Sequence, residues 1–223
     1  MDTLQALKER HSVRAFTDEK IDEKMRDVLD QFVKELNRES GLHIQIRYDD
    51  PEGFDSKLAK YGKFKNVRNY IVLAGDKNED IEEKCGYYGE KLVIEAQRLG
   101  FNTCWVALTF NKSVVRKILQ PGDKLCMVIA LGYGETQGVP HKGKTIEDVV
   151  ISRGNIPNWF REGAEAALLA PTAMNQQKFK MGVKDGEPVI LISGFGFHTK
   201  VDLGIVKYHF ETASGRKVRS DEI

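Results

Sequence analysis

The sequence contains little of what several classes of protein require. Its three cysteines, Cys85, Cys104 and Cys126, are odd in number and widely spaced, which excludes a disulfide framework and a CxxC zinc pattern. Charge of one sign is not in excess, because 34 Lys and Arg residues face 33 Asp and Glu residues. The longest apolar runs, such as CMVIALGYG, are far too short to cross a membrane, and the polar start MDTLQALKER is not a signal peptide. We therefore expect a cytoplasmic protein with reduced thiols that binds neither nucleic acid nor membrane.

Signatures of several catalytic classes are missing as well. There is no GxGxxG, no Walker loop and no HExxH, and the carboxylates show no paired arrangement. The five histidines show no spacing that suits a metal ion, so we expect no metal. A catalytic side-chain nucleophile is not visible either. An organic cofactor that carries the chemistry would fit these absences.

The pattern of elements indicates an α+β class with a mainly antiparallel central sheet flanked by helices, since helices alternate with strands but hairpins also occur. The run KLCMVIALGYG is the most hydrophobic strand, and we expect it to be central. Thr17 is a candidate N-cap for the second helix. Asp185-Gly186 is expected at the turn of a late hairpin. We predict an N-terminal half, residues 1–155, and a C-terminal half, residues 156–223, packed as one globular unit.

Two segments resemble each other in a way that suggests an internal repeat. GEKLVIEAQRLG (89–100) and GIVKYHFETASG (204–215) share both terminal glycines and helical character, and each follows a strand of similar type. A duplication of half the chain would explain this likeness. Two unrelated amphipathic helices would explain it equally well, because short repeats often match by chance.

The stretch ERHSVRAFT (9–17) gathers groups that suit an anion. Two guanidiniums, a hydroxyl and an imidazole fall at a helix end, in Arg10, His11, Ser12 and Arg14. Arg presents paired planar donors that match a phosphate. The alternative is a solvated turn in which the two arginines pair with the neighbouring carboxylates of Glu9, Asp18 or Glu19.

A second basic stretch, PHKGKTIEDV, comes close after a strand end. Lys142 and Lys144 flank Gly143, and a glycine between two lysines lets backbone and side chains face one anion. Considered alone, this stretch is better explained as an ordinary basic loop.

The stretch LLAPTAMNQQKF (168–179) breaks an apolar run at Pro171 with a cluster of small and polar groups. Thr172, Ala173, Asn175 and Gln177 follow the proline. Asn and Gln side chains both donate and accept, which suits a planar heterocycle with amide-like edges. A simple cap and turn is the alternative, since Thr and Asn are favoured there.

The stretch LGFNTCWVALTF (99–110) is predicted to be extended after its glycine. Such a strand could aim backbone N–H groups at a ligand. The alternative is a plain buried strand.

Together, the four stretches resemble the FMN-dependent nitroreductase family. RHSVRAFT is similar to its phosphate-and-ribityl motif, and PTAMNQQ is similar to its Pro-Ser-x-x-Asn-x-Gln segment, which contacts the flavin ring. LGFNTCWVALTF resembles a family strand whose end lies near flavin N5, with Trp105 and Phe110 forming an electron-rich pocket edge. HKGK matches a late basic motif that binds the phosphate. By this resemblance, the residues that bind FMN are Arg10, His11, Ser12, Arg14, Leu108, Thr109, Lys142, Lys144, Pro171, Thr172, Ala173, Asn175 and Gln177.

The order of the motifs departs from the common family pattern. The Pro-Ser-type segment usually follows soon after the Arg-x-Ser motif, whereas here it lies in the C-terminal third. The chain therefore looks like a divergent branch in which two half-domains, related by a pseudo-twofold, imitate the usual dimer. This favours a monomer over a homodimer.

The resemblance implies an FMN-dependent oxidoreductase that reduces nitroaromatic or quinone-like acceptors with NAD(P)H. Hydride would pass through flavin N5 in a ping-pong cycle, and no protein residue need be catalytic. Two alternatives remain open from the sequence. One is a flavin-binding carrier or sensor without turnover, and the other is an interaction module without a cofactor.

Overall fold

The computed structural model describes residues 1–151 and 156–219. Within them, the helices are α1 (Thr3–Glu9), α2 (Glu23–Ser40), α3 (Lys57–Tyr61), α4 (Ile81–Arg98), α5 (Lys112–Arg116), α6 (Ile146–Val149), α7 (Asn158–Leu168) and α8 (Thr199–Ser214). The strands are β1 (Gln45–Arg47), β2 (Asn69–Asp76), β3 (Asn102–Val106), β4 (Asp123–Gly132), β5 (Phe179–Lys184) and β6 (Glu187–Ile192). Short 3₁₀ turns cover Pro51–Gly53 and Ala173–Asn175. None of these helices combines the length and the apolar character that a membrane crossing requires.

The larger sheet has the strand order β1-β2-β4-β3, and every neighbouring pair is antiparallel. β4 lies between β2 and β3 and is buried along its second half, which is why it reads as a continuous hydrophobic run. The predicted α+β class and the central position of KLCMVIALGYG are therefore confirmed. Alternate residues of the three longer strands pack on one side of this sheet in a core with Phe54 and Phe110.

A separate hairpin is formed by β5 and β6. Asp185 and Gly186 connect the strands with φ of 54° and 81°, the left-handed conformation that a two-residue type I′ turn requires at both positions. The predicted Asp-Gly turn is confirmed.

The start of α2 differs from the prediction. Asp22, not Thr17, is the N-cap, and its Oδ1 accepts a hydrogen bond of 2.8 Å from the Met25 N–H. The Thr17 N–H instead donates to the Tyr133 carbonyl at 2.8 Å. This contact from far along the chain holds Thr17 outside the helix, so local capping preference does not decide the boundary.

The contacts of the described residues divide the chain into two compact units. The first unit comprises Met1–Lys8, Glu82–Lys91 and His141–Ile223, and the second comprises Glu9–Ile81 and Leu92–Pro140. The predicted seam near residue 155 falls in residues 152–155, outside the described residues, and the division into residues 1–155 and 156–223 stays a prediction.

Two glycines bring α4 and α8 into direct backbone contact within the first unit. A Cβ at Gly86 would lie 2.0 Å from the Val201 carbonyl oxygen, and a Cβ at Gly204 would lie 2.0 Å from the Glu83 carbonyl oxygen. The contact is reciprocal, because each glycine touches the residue three positions before the other. Contacts of this kind are what a twofold axis produces.

The same spacing relates the elements on either side of this contact. β2 and β6 begin 118 residues apart, at Asn69 and Glu187, and α4 and α8 begin the same distance apart, at Ile81 and Thr199. The order helix–strand–strand–helix therefore occurs twice, in α2-β1-β2-α4 and in α7-β5-β6-α8, apart from the short α3 in the first copy. This repeated order supports the duplication. The spacing of 118 residues differs by three from the spacing of the predicted match between 89–100 and 204–215.

A fully buried ionisable pair lies in the interior of the first unit. His209 Nε2 lies 2.8 Å from Glu90 Oε1, and His209 Nδ1 lies 3.0 Å from the Ala166 carbonyl oxygen. Each ring nitrogen therefore has a hydrogen-bond partner, and so does the carboxylate. Because a charge left alone in such a position is costly, this pair links α4, α7 and α8 specifically.

Candidate functional site

The residues Glu9–Thr17 form an edge beside β3 in the second unit. Ser12 bridges to Thr103 in parallel orientation, and the Val13 N–H donates to the Thr103 carbonyl at 3.0 Å. Val13 is buried, whereas Ser12 and Arg14 on either side of it are exposed. The alternation of an extended segment thus turns the hydroxyl and one guanidinium away from the core.

Three of the predicted anion-binding residues influence the thiol of Cys104 in β3. Burial raises the pKa of its thiol, while the charge of Arg14, a hydrogen bond with Ser12 and the charge of Arg10 lower it. The hydrogen bond places Ser12 against Cys104, and the two arginines are close enough for their charges to act on the thiol. Arg10 is the buried member of this set, with 3% of its surface exposed. Asp18, one of the carboxylates considered as a partner, pairs with Arg68 at 3.1 Å.

His11 lies against the loop that follows β4. A Cβ at Gly138 would lie 2.7 Å from the His11 Cβ, and Gly138 has a φ of +74°, so a side chain is disfavoured there twice over. The buried Asn102 holds the same loop by accepting from the Gly134 N–H at 2.9 Å. The fourth predicted residue thus packs on a fixed loop beside the other three.

Leu108 and Thr109 lie just after β3, where the strand ends in a bend. Leu108 is 59% exposed. Thr109 is half-buried, and a Cβ at Gly62 would lie 2.6 Å from its Oγ1. Their predicted place near flavin N5 stays a prediction. The pocket edge predicted for Phe110 is wrong, because this ring is 2% exposed and packs in the core of the second unit.

In the first unit, the basic stretch and the amide-rich stretch are bonded to each other. The Lys142 carbonyl accepts from Asn175 Nδ2 at 2.8 Å and from Gln177 Nε2 at 2.9 Å. Lys144 donates from its backbone N–H to Gln177 Oε1 at 2.8 Å and from Nζ to the Gln177 carbonyl at 2.6 Å. Two motifs that lie 33 residues apart in sequence therefore form one cluster.

Gln177 is the centre of this cluster. It is 3% exposed, and both hydrogens of its amide are used, since Nε2 also donates to Asn175 Oδ1 at 2.8 Å. Its backbone N–H donates to Thr172 Oγ1 at 3.0 Å. Gln177 is predicted to contact a flavin ring. In the structure its side-chain amide hydrogen-bonds to Lys142, Lys144 and Asn175 and so stabilises the turn on which Asn175 lies. The Lys144 ammonium keeps further donors beyond its bond to Gln177.

The turn between Thr172 and Gln177 has a strained backbone. Met174, Asn175 and Gln177 have φ of 52°, 54° and 44°, which non-glycine residues rarely adopt. Each such residue costs about 1–2 kcal/mol, and the hydrogen bonds from the Lys142–Lys144 stretch offset this cost. Backbone strain that the surroundings hold in place is typical of ligand-binding segments.

Asp202, in the first turn of α8, supports the same turn and was missed by the sequence analysis. Its Oδ1 accepts from the Ala173 N–H at 2.9 Å, and its Oδ2 accepts from Gln176 Nε2 at 2.7 Å. Burial raises the pKa of this carboxyl to about 6, while the hydrogen bonds from Gln176 and Ala173 lower it. Only the fold brings Asp202 to a turn that precedes it by 29 residues, so local patterning held no signal.

The structure also gathers His43, Asp76 and Asp123 in the second unit, with their ligand-type atoms within 4.8 Å of one another. His43 Nδ1 lies 2.7 Å from Asp123 Oδ1, and Asp123 Oδ2 accepts from the Gln120 N–H at 3.0 Å. Asp76 faces Asp123 across β2 and β4. The hydrogen bonds of Asp123 to His43 and Gln120 explain the position of its carboxylate without a metal ion.

The comparison with protein families decides the affiliation. A family model described as "Putative TM nitroreductase" matches residues 2–214. The chain belongs to this nitroreductase family. No curated protein matches the chain.

Solved structures show that this nitroreductase-family chain has the expected fold. A "putative nitroreductase" from Thermotoga maritima MSB8 is 24% identical, with a TM-score of 0.70 over 100% of this chain and 90% of its own. A nitroreductase family protein from Streptococcus pneumoniae TIGR4 is 13% identical, with a TM-score of 0.54 over 68% of this chain and 100% of its own. A "putative nitroreductase in complex with fmn" from Desulfovibrio desulfuricans is 16% identical, with a TM-score of 0.52 over 70% of this chain and 99% of its own. At these identities the likeness concerns the fold, and it confirms the nitroreductase-like architecture.

Proposed function

We propose that this nitroreductase-family chain is an FMN-dependent oxidoreductase that uses NAD(P)H to reduce nitroaromatic or quinone-like acceptors by two electrons. When bound, FMN would supply the redox chemistry, which is hydride transfer through N5 that carries two electrons from NAD(P)H to an acceptor in a ping-pong cycle. The observation that carries the proposal is the pairing of the Arg10–Arg14 segment with β3, which places Ser12 against Cys104 and brings the charges of both arginines within reach of it.

The residues of the second unit fit a phosphate. Arg14 and Ser12 offer a guanidinium and a hydroxyl from exposed positions, and the buried Arg10 adds positive charge to the same segment. Donors of this kind bind a phosphate through charge-assisted hydrogen bonds, which are roughly twice as strong as neutral ones. His11 completes the segment, and Leu108 and Thr109 are proposed to lie at the ring.

The residues of the first unit fit the polar edges of a flavin ring. Asn175 is exposed on a turn whose backbone is fixed, and its Nδ2 keeps one hydrogen beyond its bond to Lys142. Pro171, Thr172 and Ala173 lead into this turn and are proposed to border the ring. Lys142 and Lys144 are exposed and are proposed to add positive charge. Positive charge and fixed donors would stabilise the anionic reduced ring.

We also propose that a single chain suffices for function. The reciprocal contact of Gly86 and Gly204 is of the kind that two identical subunits normally make with each other, but here both sides belong to one chain. Light scattering of the FMN-loaded protein should give the mass of one chain with one FMN bound. A stable dimer that binds FMN only as a dimer would contradict this proposal.

The test of the proposed function is the absorbance spectrum of the purified protein. After incubation with FMN and desalting, the protein should stay yellow, and NADH or NADPH under anaerobic conditions should bleach the colour. Retained colour that neither nucleotide bleaches would favour a flavin carrier or sensor. Protein that retains no FMN would contradict the proposal.

A further inference from the structure

Two phenylalanines next to the strained turn are exposed to an unusual degree. Phe195 and Phe197 lie between β6 and α8, with 99% and 79% of their surface exposed. Met174, at the tip of the turn itself, is 94% exposed. Large apolar side chains are normally buried, and exposed ones that cluster mark a binding surface more often than isolated ones do.

The segment that carries the two rings, Ser193–His198, is held in place by its backbone. We call it the aromatic loop. The Phe195 carbonyl accepts from Lys178 Nζ, and the Phe197 carbonyl accepts from Gln176 Nε2 at 2.8 Å. A Cβ at Gly196 would lie 2.3 Å from Gln176 Oε1, so any larger residue there would have to displace the Gln176 amide. The backbone is therefore anchored on both sides of Gly196 while both rings remain in solvent.

The anchors of the aromatic loop are also part of the strained turn. Gln176 Nε2 donates to Asp202 Oδ2 as well as to Phe197, and Asp202 Oδ1 accepts from the Ala173 N–H. The Ser193 N–H donates to the Lys178 carbonyl at 3.0 Å. The loop and the Thr172–Gln177 turn are thus one assembly within the first unit.

From this arrangement we propose that Phe195 and Phe197 bind the electron acceptor and select planar aromatic acceptors. The inference rests on the proposed function, because the Thr172–Gln177 turn is proposed to border the flavin ring. A neutral aromatic ring would stack on or pack edge-on against the two phenyl rings, as aromatic pairs do. The loop presents only apolar side chains at these two positions. An acceptor that lacks a flat ring therefore cannot make a comparable contact with it.

The variants Phe195→Ala and Phe197→Ala, alone and combined, test this inference in the full-length protein loaded with FMN. Menadione, which takes two electrons and two protons, serves as the aromatic acceptor. Ferricyanide, of which two equivalents take the same two electrons, serves as the acceptor without an aromatic ring. We expect the combined variant to raise the KM for menadione by about tenfold, the effect of losing two aromatic contacts. The rate with ferricyanide and the affinity for FMN should stay unchanged.

Matched variants separate stacking from other effects. Phe195→Tyr with Phe197→Tyr keeps both rings and should keep the wild-type KM, whereas the corresponding leucine variant should resemble the alanine variant. Val28→Ala, at an exposed apolar position on α2, controls for general effects of truncation. An unchanged menadione KM, or equal losses with both acceptors, would overturn the inference while bleaching by NAD(P)H still supported the proposed function. Failure of the wild type to retain FMN would overturn both.

Discussion

Asp202 makes the stability of the protein depend on pH in a direction opposite to that of most carboxylates. Burial raises the pKa of this group from 3.8 to about 6 in the folded protein. Between these two values the folded state binds more protons than the unfolded state, so the free energy of unfolding falls as the pH rises. The stability that protonation provides is complete below pH 3.8 and is lost as the pH rises through about 6.

The size of the effect follows from the shift. One pKa unit corresponds to 1.36 kcal/mol, so this shift corresponds to about 3 kcal/mol. Asp202→Asn removes the titration and keeps a side chain of the same size that can still accept from the Ala173 N–H. The difference in unfolding free energy between wild type and variant should therefore change by about 3 kcal/mol between pH 3.5 and pH 7.

Urea denaturation at a series of pH values measures this difference directly. Other groups titrate in the same range, but they cancel when wild type and variant are compared at each pH. Asp55→Asn, which removes a carboxylate from an exposed position, is the matched control. A wild-type-minus-variant difference that does not change with pH would refute the reasoning, as would an increase in the wild type's relative stability toward neutral pH.

Three further substitutions test the phosphate contact, the turn and the helix crossing. Arg14→Ala should weaken FMN binding by about 1.5–3 kcal/mol, because it removes a charge-assisted hydrogen bond, and fluorescence titration with FMN measures the loss. Asn175→Ala should slow the anaerobic bleaching by NAD(P)H more than it lowers FMN affinity, as stopped-flow absorbance would show. Gly204→Ala should lower the free energy of unfolding by about 3 kcal/mol or more, since its Cβ would lie 2.0 Å from the Glu83 carbonyl oxygen, and thermal or urea denaturation would measure it. Gly143→Ala, where a Cβ would meet nothing within 4 Å, is its control.

Each of these expectations has a clear contrary result. Unchanged FMN affinity would remove Arg14 from the phosphate contacts. An unaffected bleaching rate would count against Asn175 at the flavin ring. If Gly204→Ala and Gly143→Ala were equally stable, α4 and α8 would not touch through their backbones.

The elements that could be predicted from the sequence are those decided by local physics. β4 was expected to be central because it is the most hydrophobic run, and it does lie between two strands with its second half buried. The β5–β6 hairpin follows from Asp185-Gly186, since both residues accept a positive φ. Where a distant backbone group intervenes, as Tyr133 does at Thr17, capping preference gave the wrong helix start.

The sequence indicated which residues belong to the candidate site, but it did not indicate what each side chain binds. Gln177 was placed at a ring because its amide both donates and accepts, yet partners from Lys142 and Lys144 use those groups within the turn. Asp202 and the aromatic loop were missed, since their link to the turn exists only after β5, β6 and α8 have folded. Phe110 shows the same limit, because an aromatic residue after a strand can face a pocket or the core.

The crossing of α4 and α8 also affects how this protein can evolve. In a dimer of identical subunits, a change on one side of the axis appears on the other side as well, so neither side can specialise. Here Gly86 and Gly204 are encoded separately, and a substitution in one half leaves the other half intact. The Arg-x-Ser motif occurs only in the first half of this chain and the Pro-Thr-x-x-Asn motif only in the second, which is the distribution that we expect from a duplication followed by such specialisation. A duplicated chain can thus discard a redundant copy of each motif and keep one complete set.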